Sequence, residues 1–202
     1  NRLASEWGIG ARFTIGYLGT HGMAHDLRNV LDAAELLLNR TDIQFLFVGG
    51  GAERENLLRT AVTRGLHNVI FKPMQPKGRM PEIWSLCDLA LIHLKNAPAF
   101  SEVLPSKIFE AMGMGLPLLL VSPAGEASNL IEKYRIGKWV QAGNPHLLAD
   151  AVVSMSEDDR ALSLYAAASG EAAQLHSREK QARQMLELLV EISARQDLRS
   201  FK

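Results

Sequence analysis

Residues 43–51 read Ile43-Gln44-Phe45-Leu46-Phe47-Val48-Gly49-Gly50-Gly51, an almost continuous apolar run that ends in three glycines. An apolar run of this length is typical of a strand that is buried on both faces of a parallel sheet. A helical pattern follows from Ala52 to Arg64, and Gly65 marks its end. The segment therefore predicts one strand–helix unit, whose helix is expected to turn four side chains inward: Leu57, Leu58, Ala61 and Val62.

The same alternation of short apolar runs and longer amphipathic stretches continues along the chain. It predicts further strands at Phe13–Leu18, Val69–Phe71, Leu89–His93, Leu118–Val121 and Lys138–Gln141. Three helices are expected after the last of these strands, the first of them capped by Asn144 and opened by Pro145. The pattern predicts an α/β fold, a doubly wound Rossmann-like parallel sheet of about six strands with helices on both faces.

The two ends of the chain differ from this plan. Residues 1–12 are expected to be irregular, because no strand pattern begins before Phe13. The last helix is predicted from about Ser177 to Arg195, and an apolar stripe along it is expected to lie on an apolar surface. The stripe consists of Ala182, Met185, Leu186, Leu189 and Ile192.

Composition excludes several classes of protein. The 202 residues include 22 Lys or Arg and 22 Asp or Glu, and no long run carries one sign, so the chain is not expected to bind nucleic acid or an anionic membrane through bulk charge. Cys87 is the only cysteine, which rules out a disulfide within the chain. The sequence contains neither a signal-peptide pattern nor a membrane-spanning apolar stretch, so a cytoplasmic location is expected.

Two glutamates carry the clearest functional pattern. Glu102 and Glu110 stand eight positions apart, the first in a loop and the second one turn inside the predicted helix that follows it. Both carboxylates therefore lie near the positive end of a helix dipole, where an anionic ligand also binds. Ligands of open α/β sheets bind outside the carboxyl ends of the strands. The candidate site is thus the rim formed by Gly19–His25, Gly49–Gly51, Lys72–Pro73 and Lys95–Lys107.

The sequence around this pair resembles the signature of the retaining, group 1 (family 4-type) glycosyltransferases of GT-B fold. Ala111-Met112-Gly113-Met114-Gly115-Leu116-Pro117 completes the motif after Glu110. The segment between the glutamates, Val103–Phe109, resembles a subgroup that acts on amino-sugars in surface polysaccharide assembly. Further matches follow in the family's order: Gly16-Tyr17-Leu18-Gly19, Phe47-Val48-Gly49-Gly50-Gly51, Val69-Ile70-Phe71-Lys72-Pro73 and Cys87-Asp88-Leu89-Ala90-Leu91.

The resemblance implies that this chain is the C-terminal, donor-binding half of a GT-B enzyme. Residues 1–12 would be the remnant of an interdomain linker, and residues 13–176 the Rossmann-like domain that binds a nucleotide-sugar. Residues 177–202 would form a helix that packs back toward an absent N-terminal, acceptor-binding domain. The implied activity is a metal-independent hexosyltransferase reaction that retains the configuration at the anomeric carbon and serves polysaccharide or glycoconjugate synthesis. The fragment alone would be inactive. Any membrane contact, at the inner face, would come from the missing half.

The resemblance also implies individual roles. Glu102 would be the catalytic residue that binds hydroxyls of the transferred sugar, and Glu110 would accept hydrogen bonds from the ribose. Lys72 would offer backbone groups to the base. The backbone around Val103, Leu104, Ser106 and Lys107 would meet the diphosphate. The substrate is expected to be UDP-linked, with no cofactor and no metal, and the remaining donor-binding positions are Gly19, Thr20, His21, Gly22, His25, Gly50 and Pro73.

Departures from the family pattern remove some of the groups that would be expected to bind the diphosphate. Thr20, His25 and Asp26 stand where the family often has a basic residue and a Lys-Gly pair, and Pro105 has no N–H to donate. Leaving-group stabilisation would then depend on Lys107, the helix dipole and a protonated His25.

Several other interpretations stay open. Glu110 could pair with Lys107 at i,i+3, Glu102 could be a solvated loop residue, and Gly49–Gly51 could serve close packing instead of phosphate binding. The two carboxylates could also form a glycosidase pair. At the level of function, the alternatives are one half of a GT-B sugar-nucleotide epimerase and a nucleotide-binding module without chemistry.

Overall fold

The computed structural model describes residues 2–176 and 178–197, and a parallel sheet of six strands forms the centre of this part of the chain. The strands are hydrogen-bonded in the order β3-β2-β1-β4-β5-β6, and every pairing is parallel. Their bounds are β1 Phe13–Leu18, β2 Ile43–Val48, β3 Val69–Lys72, β4 Leu89–His93, β5 Leu118–Ser122 and β6 Gly137–Gln141. The predicted doubly wound α/β fold is confirmed, and each strand agrees with its prediction to within one residue at either end.

Helices cover both faces of this sheet. Their bounds are α1 Arg2–Trp7, α2 Leu27–Leu36, α3 Arg54–Thr63, α4 Met80–Trp84, α5 Ser106–Gly113, α6 Glu126–Tyr134, α7 Pro145–Ser156, α8 Asp159–Leu175 and α9 Arg178–Asp197. Apolar side chains of α2, α3 and α7 pack in one core layer, and those of α1, α4, α5 and α6 pack in the layer on the opposite face. Helix α8 contributes side chains to both layers. Short 3₁₀ turns lie at Met23–His25, Lys77–Arg79 and Pro98–Phe100.

Strand β2 shows why the apolar run predicted the fold so directly. All six of its residues are buried, and β1 pairs with it along its full length, from Phe13 opposite Ile43 to Leu18 opposite Val48. Its one polar residue, Gln44, donates its side-chain amide to Thr14 Oγ1 at 2.8 Å. That hydrogen bond reduces the cost of burying an amide in the sheet.

Two local predictions are wrong. Residues 2–7 form a helix instead of an irregular segment, because Leu3 and Trp7 are spaced one helical turn apart and are both buried against the core. Val62 is 73% exposed, since Leu57 and Ala61 already face the sheet and the next residue points about 100° away. Leu58 is half-buried.

The last helix is present, but its apolar stripe is not covered by the other residues that the structure describes. The side chains of Met185, Leu186, Leu189 and Ile192 are each more than half exposed, and Ala182 is exposed as well. The predicted first residue of this helix, Ser177, lies outside the described residues. The domain division into residues 1–12, 13–176 and 177–202 stays a prediction. Across the described ranges, no helix has both the length and the apolar character needed to cross a membrane.

Candidate functional site

The candidate site lies where neighbouring strands send their connections to opposite faces of the sheet. The chain leaves β1 for α2 on one face, and it leaves the adjacent β4 for α5 on the other face. A crevice opens at such a switch point, outside the carboxyl ends of the strands. The loops that follow β1 and β4 meet there, and the backbone N–H of Lys95 donates to the carbonyl of Ala24 at 2.8 Å.

The glycine turn after β2 packs directly against the loop after β1. The His21 N–H donates to the Gly50 carbonyl at 2.7 Å, and the His21 carbonyl accepts from the Glu53 N–H at 3.0 Å. A side chain at Gly49 would collide with the carbonyl of Gly19, and one at Gly51 would collide with the His21 backbone. These two glycines therefore permit the close approach of two loops, which is the packing interpretation of the turn.

Hydrogen-bond donors are free at the start of α5. Pro105 caps this helix, and the backbone N–H groups of Leu104, Ser106 and Lys107 have no acceptor among residues 2–176 and 178–197. The Val103 N–H, in contrast, already donates to the Phe100 carbonyl at 3.3 Å. Free amides at a helix start carry partial positive charge, so this end of α5 can bind an anion.

Both glutamates of the motif are exposed at this rim. Within the described ranges, neither Glu102 nor Glu110 has a hydrogen-bond or salt-bridge partner for its carboxylate. The i,i+3 salt bridge between Lys107 and Glu110 is therefore not formed. Ionised carboxylates accept hydrogen bonds only, so two free ones can each bind a pair of hydroxyl groups.

Lys107 turns away from Glu110 and reaches across to the end of β1. Its Nζ donates to the Tyr17 hydroxyl at 2.8 Å, and the same Nζ lies 4.3 Å from the centre of the Tyr17 ring. The Tyr17 hydroxyl in turn donates to the Thr20 carbonyl at 2.8 Å. Burial lowers the pKa of Lys107 to about 8, against the opposing effect of the Glu110 charge, so the amine is mostly protonated at neutral pH.

The two loop histidines occupy different positions. His21 is fully buried, and its ring packs against Tyr17, Phe47 and Phe71 with centroid distances of 5.9, 6.0 and 6.2 Å. Neither ring nitrogen of His21 has a hydrogen-bond partner in the part of the chain that the structure describes. Burial first, and then nearby cations, lower the pKa of His21 to about 4. The glycine turn after β2 encloses the His21 side chain, and the donor-binding role of His21 stays a prediction.

His25 is half-buried and stays closer to the rim. Its Nδ1 lies 3.3 Å from the His93 carbonyl, which can only accept, so Nδ1 carries the proton. Burial and then the Lys107 charge lower the pKa of His25, which leaves it neutral at neutral pH. The neighbouring His93 is buried, and its Nε2 lies 2.9 Å from Asn29 Oδ1.

Some of the remaining predicted residues are accessible to solvent, and others make hydrogen bonds or ring contacts within the protein. Thr20 is exposed, and Gly22 and Gly50 are half-buried. The Lys72 carbonyl accepts from the Gly49 N–H at 3.2 Å, and the Lys72 ammonium lies 5.5 Å from the centre of a Trp7 ring. The Pro73 carbonyl accepts from the Gln75 side chain at 3.2 Å. A search of the described residues finds no group of three His, Cys, Asp or Glu side chains placed to hold a metal ion.

Sequence reasoning missed the role of Tyr17 in this arrangement. Tyr17 is the penultimate residue of a buried strand, and the sequence singled it out only as part of the Gly16–Gly19 motif. Its hydroxyl links the loop after β1 to α5 across 90 positions of sequence. A hydroxyl on an otherwise apolar strand, just before a glycine loop, is the signal that could have indicated it.

Comparisons with known proteins identify the family of this chain. The sequence profile described as "Glycosyl transferases group 1" matches residues 6–175. A glycosyl transferase of Escherichia coli named for colanic acid biosynthesis, WcaI, is 34% identical over 99 residues, which are 49% of this chain and 24% of that protein. A glycosyltransferase of Bacillus subtilis named for teichuronic acid biosynthesis, TuaH, is 27% identical over 132 residues, or 65% of this chain and 32% of that protein.

Solved structures share the fold. HepE of Anabaena in complex with UDP superposes with a TM-score of 0.82 at 22% identity, and the match covers 94% of this chain and 52% of HepE. The C-terminal domain of the group 1 protein LpcC of Francisella tularensis superposes with a TM-score of 0.70 at 17% identity, covering 87% of this chain and 91% of that domain. The chain thus spans about half the length of HepE. Because this profile matches residues 6–175, which is most of the sequence, the chain belongs to the glycosyl transferases group 1 family.

Proposed function

We propose that this chain binds a UDP-linked sugar as the donor half of a retaining, metal-independent hexosyltransferase that serves polysaccharide or glycoconjugate synthesis. One observation carries the proposal. The start of α5 offers free amides and an ammonium group between two exposed carboxylates that have no partner among the described residues. An anion flanked by two diols is the ligand that matches this order of groups, and a nucleoside diphosphate sugar has that composition.

The diphosphate would lie at the helix start. The N–H groups of Leu104, Ser106 and Lys107 are free there, and the Lys107 ammonium adds a full charge to the partial charge of the helix. Val103 contributes less, because its N–H is already bound to a carbonyl. With these donors in place, the departing diphosphate can be stabilised without a metal ion.

The two carboxylates would bind the two hydroxyl-bearing ends of the donor. Glu110 lies one turn inside α5 and would accept from the ribose hydroxyls, while Glu102 precedes the helix and would accept from the transferred sugar. Charge-assisted hydrogen bonds of this kind are stronger and shorter than neutral ones. Lys72 and Pro73, at the end of β3, would face the base.

In the proposed reaction, the bond between the anomeric carbon and the diphosphate oxygen breaks, and the oxygen of an acceptor hydroxyl bonds to the anomeric carbon on the same face. The hydroxyl proton passes to the departing diphosphate. The acceptor-binding half would come from a part of the protein outside this chain, so the fragment alone would not transfer sugar. The reaction would take place in the cytoplasm. The names of WcaI and TuaH, together with complexes of HepE with UDP and with UDP-glucose, support a UDP-sugar and a surface polysaccharide.

Tracing of a labelled donor tests this function. The full-length protein should move label from a UDP-sugar to an acceptor and release UDP. An epimerase would instead rearrange the labelled sugar in the absence of any acceptor, and a binding module would leave it unchanged. A thermal-shift screen of nucleoside diphosphate sugars on this chain should identify the donor, since the stabilisation grows with ligand concentration relative to its dissociation constant.

A further inference from the structure

The loop after β1 brings no permanently positive side chain to the proposed diphosphate. Its basic residues are His21 and His25, and burial lowers the pKa of both, so both are neutral at neutral pH. His21 is enclosed by aromatic rings, and the Nδ1–H of His25 is directed to the His93 carbonyl. The positive charge at this point must therefore come from another element of the fold.

Lys107 of α5 reaches that point. Its stem lies directly over Gly19, where a side chain would collide with Lys107 Cε and approach Nζ to 3.1 Å. Gly19 also has a φ of +132°, a conformation that glycine adopts most readily. The absence of a side chain at position 19 thus opens the space through which a lysine from a different helix can cover the end of β1.

The Lys107 ammonium has no carboxylate partner among the described side chains. No Asp or Glu oxygen of these side chains lies within salt-bridge distance of Nζ, and Glu110 acts on it only from further away. The other groups that face Lys107 are Tyr17 on β1 and the neutral His21 and His25. A partly desolvated cation beside free amides has unfilled capacity for an anion.

The Tyr17 hydroxyl fixes where this cation lies. Because the hydroxyl donates its hydrogen to the Thr20 carbonyl at 2.8 Å, its lone pairs are directed to Lys107 Nζ, also at 2.8 Å. We propose that Tyr17 is a positioning residue that holds the Lys107 ammonium over Gly19 as the phosphate-binding charge of the donor site. This inference rests on the proposed function, because it assigns the source of the charge that stabilises the leaving diphosphate.

Calorimetric titration of this chain with UDP over about pH 7 to about pH 8.5 tests the proposal, since this range lies above the titration of the terminal phosphate at about 6 and below that of the uracil ring. The wild-type affinity should begin to fall near pH 8 as Lys107 loses its proton. Lys107→Met should bind about tenfold more weakly or worse and lose that pH dependence. Tyr17→Phe should bind about three- to tenfold more weakly, with the fall displaced to lower pH because the ammonium loses its acceptor.

Tyr134→Phe is the matched control. Lys133 lies over the Tyr134 ring at 5.1 Å, far from the rim, so UDP affinity and its pH profile should not change. If Tyr17→Phe keeps the wild-type affinity and profile, or loses affinity with no displacement of the profile, Tyr17 does not position Lys107. If the wild-type chain itself does not bind UDP, the proposed function is overturned first, which separates the two failures.

Discussion

The carbonyl of Ser101 accepts the backbone N–H of Glu126 at 2.8 Å, and this bond ties the loop that carries Glu102 to the start of α6. The contact is possible because Gly125 precedes Glu126, and a Cβ at position 125 would overlap the Ser101 carbonyl. Glu102 therefore follows a backbone that is fixed by a neighbouring helix. Its position at the rim depends on a glycine 23 residues further along the chain.

Gly125→Ala should move this loop. We expect a loss of about 1 to 3 kcal/mol in the free energy of unfolding, because the new methyl group forces the backbone apart. Affinity for a UDP-sugar should fall more than affinity for UDP, since Glu102 is proposed to contact the sugar. Thermal melts measure the stability, and calorimetry measures the affinities.

Gly170→Ala, with no atom within 4 Å of its Cβ, is the control and should not weaken binding. Unchanged stability and binding in Gly125→Ala would contradict this account of the loop.

Removal of the buried imidazole of His21 should change how the free energy of unfolding depends on pH in the acidic range. The pKa of His21 is lowered from 6.5 to about 4, so the unfolded state binds more protons in that range and stability is lost as the pH falls from 6.5 toward 4. His21→Leu, of similar volume, should remove this loss and be more stable than wild type by about 1 to 2 kcal/mol at about pH 5.

Urea unfolding of both proteins at several pH values measures this difference, which should grow as the pH decreases. Leu175, at the end of α8, is half exposed, and a Leu175→Ala variant provides a control with an unchanged pH dependence. A His21→Leu curve parallel to that of wild type would show that His21 can take up a proton in the folded chain.

Gly19 and Lys107 should be energetically coupled. Gly19→Ala is expected to be destabilising both through its positive φ and through the collision with the Lys107 side chain. Lys107→Ala removes the colliding atoms but not the backbone strain. The destabilisation by Gly19→Ala should therefore be smaller by about 1 kcal/mol in the Lys107→Ala background, as a double-mutant cycle of unfolding free energies measures. Strict additivity would mean that the two residues do not share this space.

The exposed stripe on α9 should contribute little to the stability of this chain. Leu186 and Leu189 are 62% and 56% exposed, so their replacement by serine should change the free energy of unfolding by no more than about 0.5 kcal/mol. In the full-length protein, the same substitutions should cost more than about 1 kcal/mol each if this face packs on the acceptor-binding half. Equal, small effects in both proteins would place the stripe outside that contact.

The strands β1, β2, β4 and β5 were predictable because each is a mostly apolar run, and burial on both faces of the sheet leaves little ambiguity. The glutamate pair was predictable from its place at a helix start. The contact between Tyr17 and Lys107 was not, because it joins positions 90 apart through side-chain direction alone. His21 looked like a rim residue, since loops are usually exposed. The packing of Gly49–Gly51 over it, together with the aromatic rings around it, explains its burial.

Glu110 offers the most direct test of the donor site, because UDP and 2′-deoxy-UDP differ by one of the hydroxyl groups that it is proposed to bind. Calorimetry should show that the wild-type chain binds UDP more tightly than the deoxy ligand. Glu110→Ala should bind UDP about tenfold more weakly or worse, and should bind both ligands equally, as expected for loss of a charge-assisted hydrogen bond. Glu132→Ala, an exposed carboxylate on α6, should behave as wild type. Unchanged UDP affinity in Glu110→Ala, or a preserved preference for UDP, would contradict the assignment of this rim as the nucleotide site.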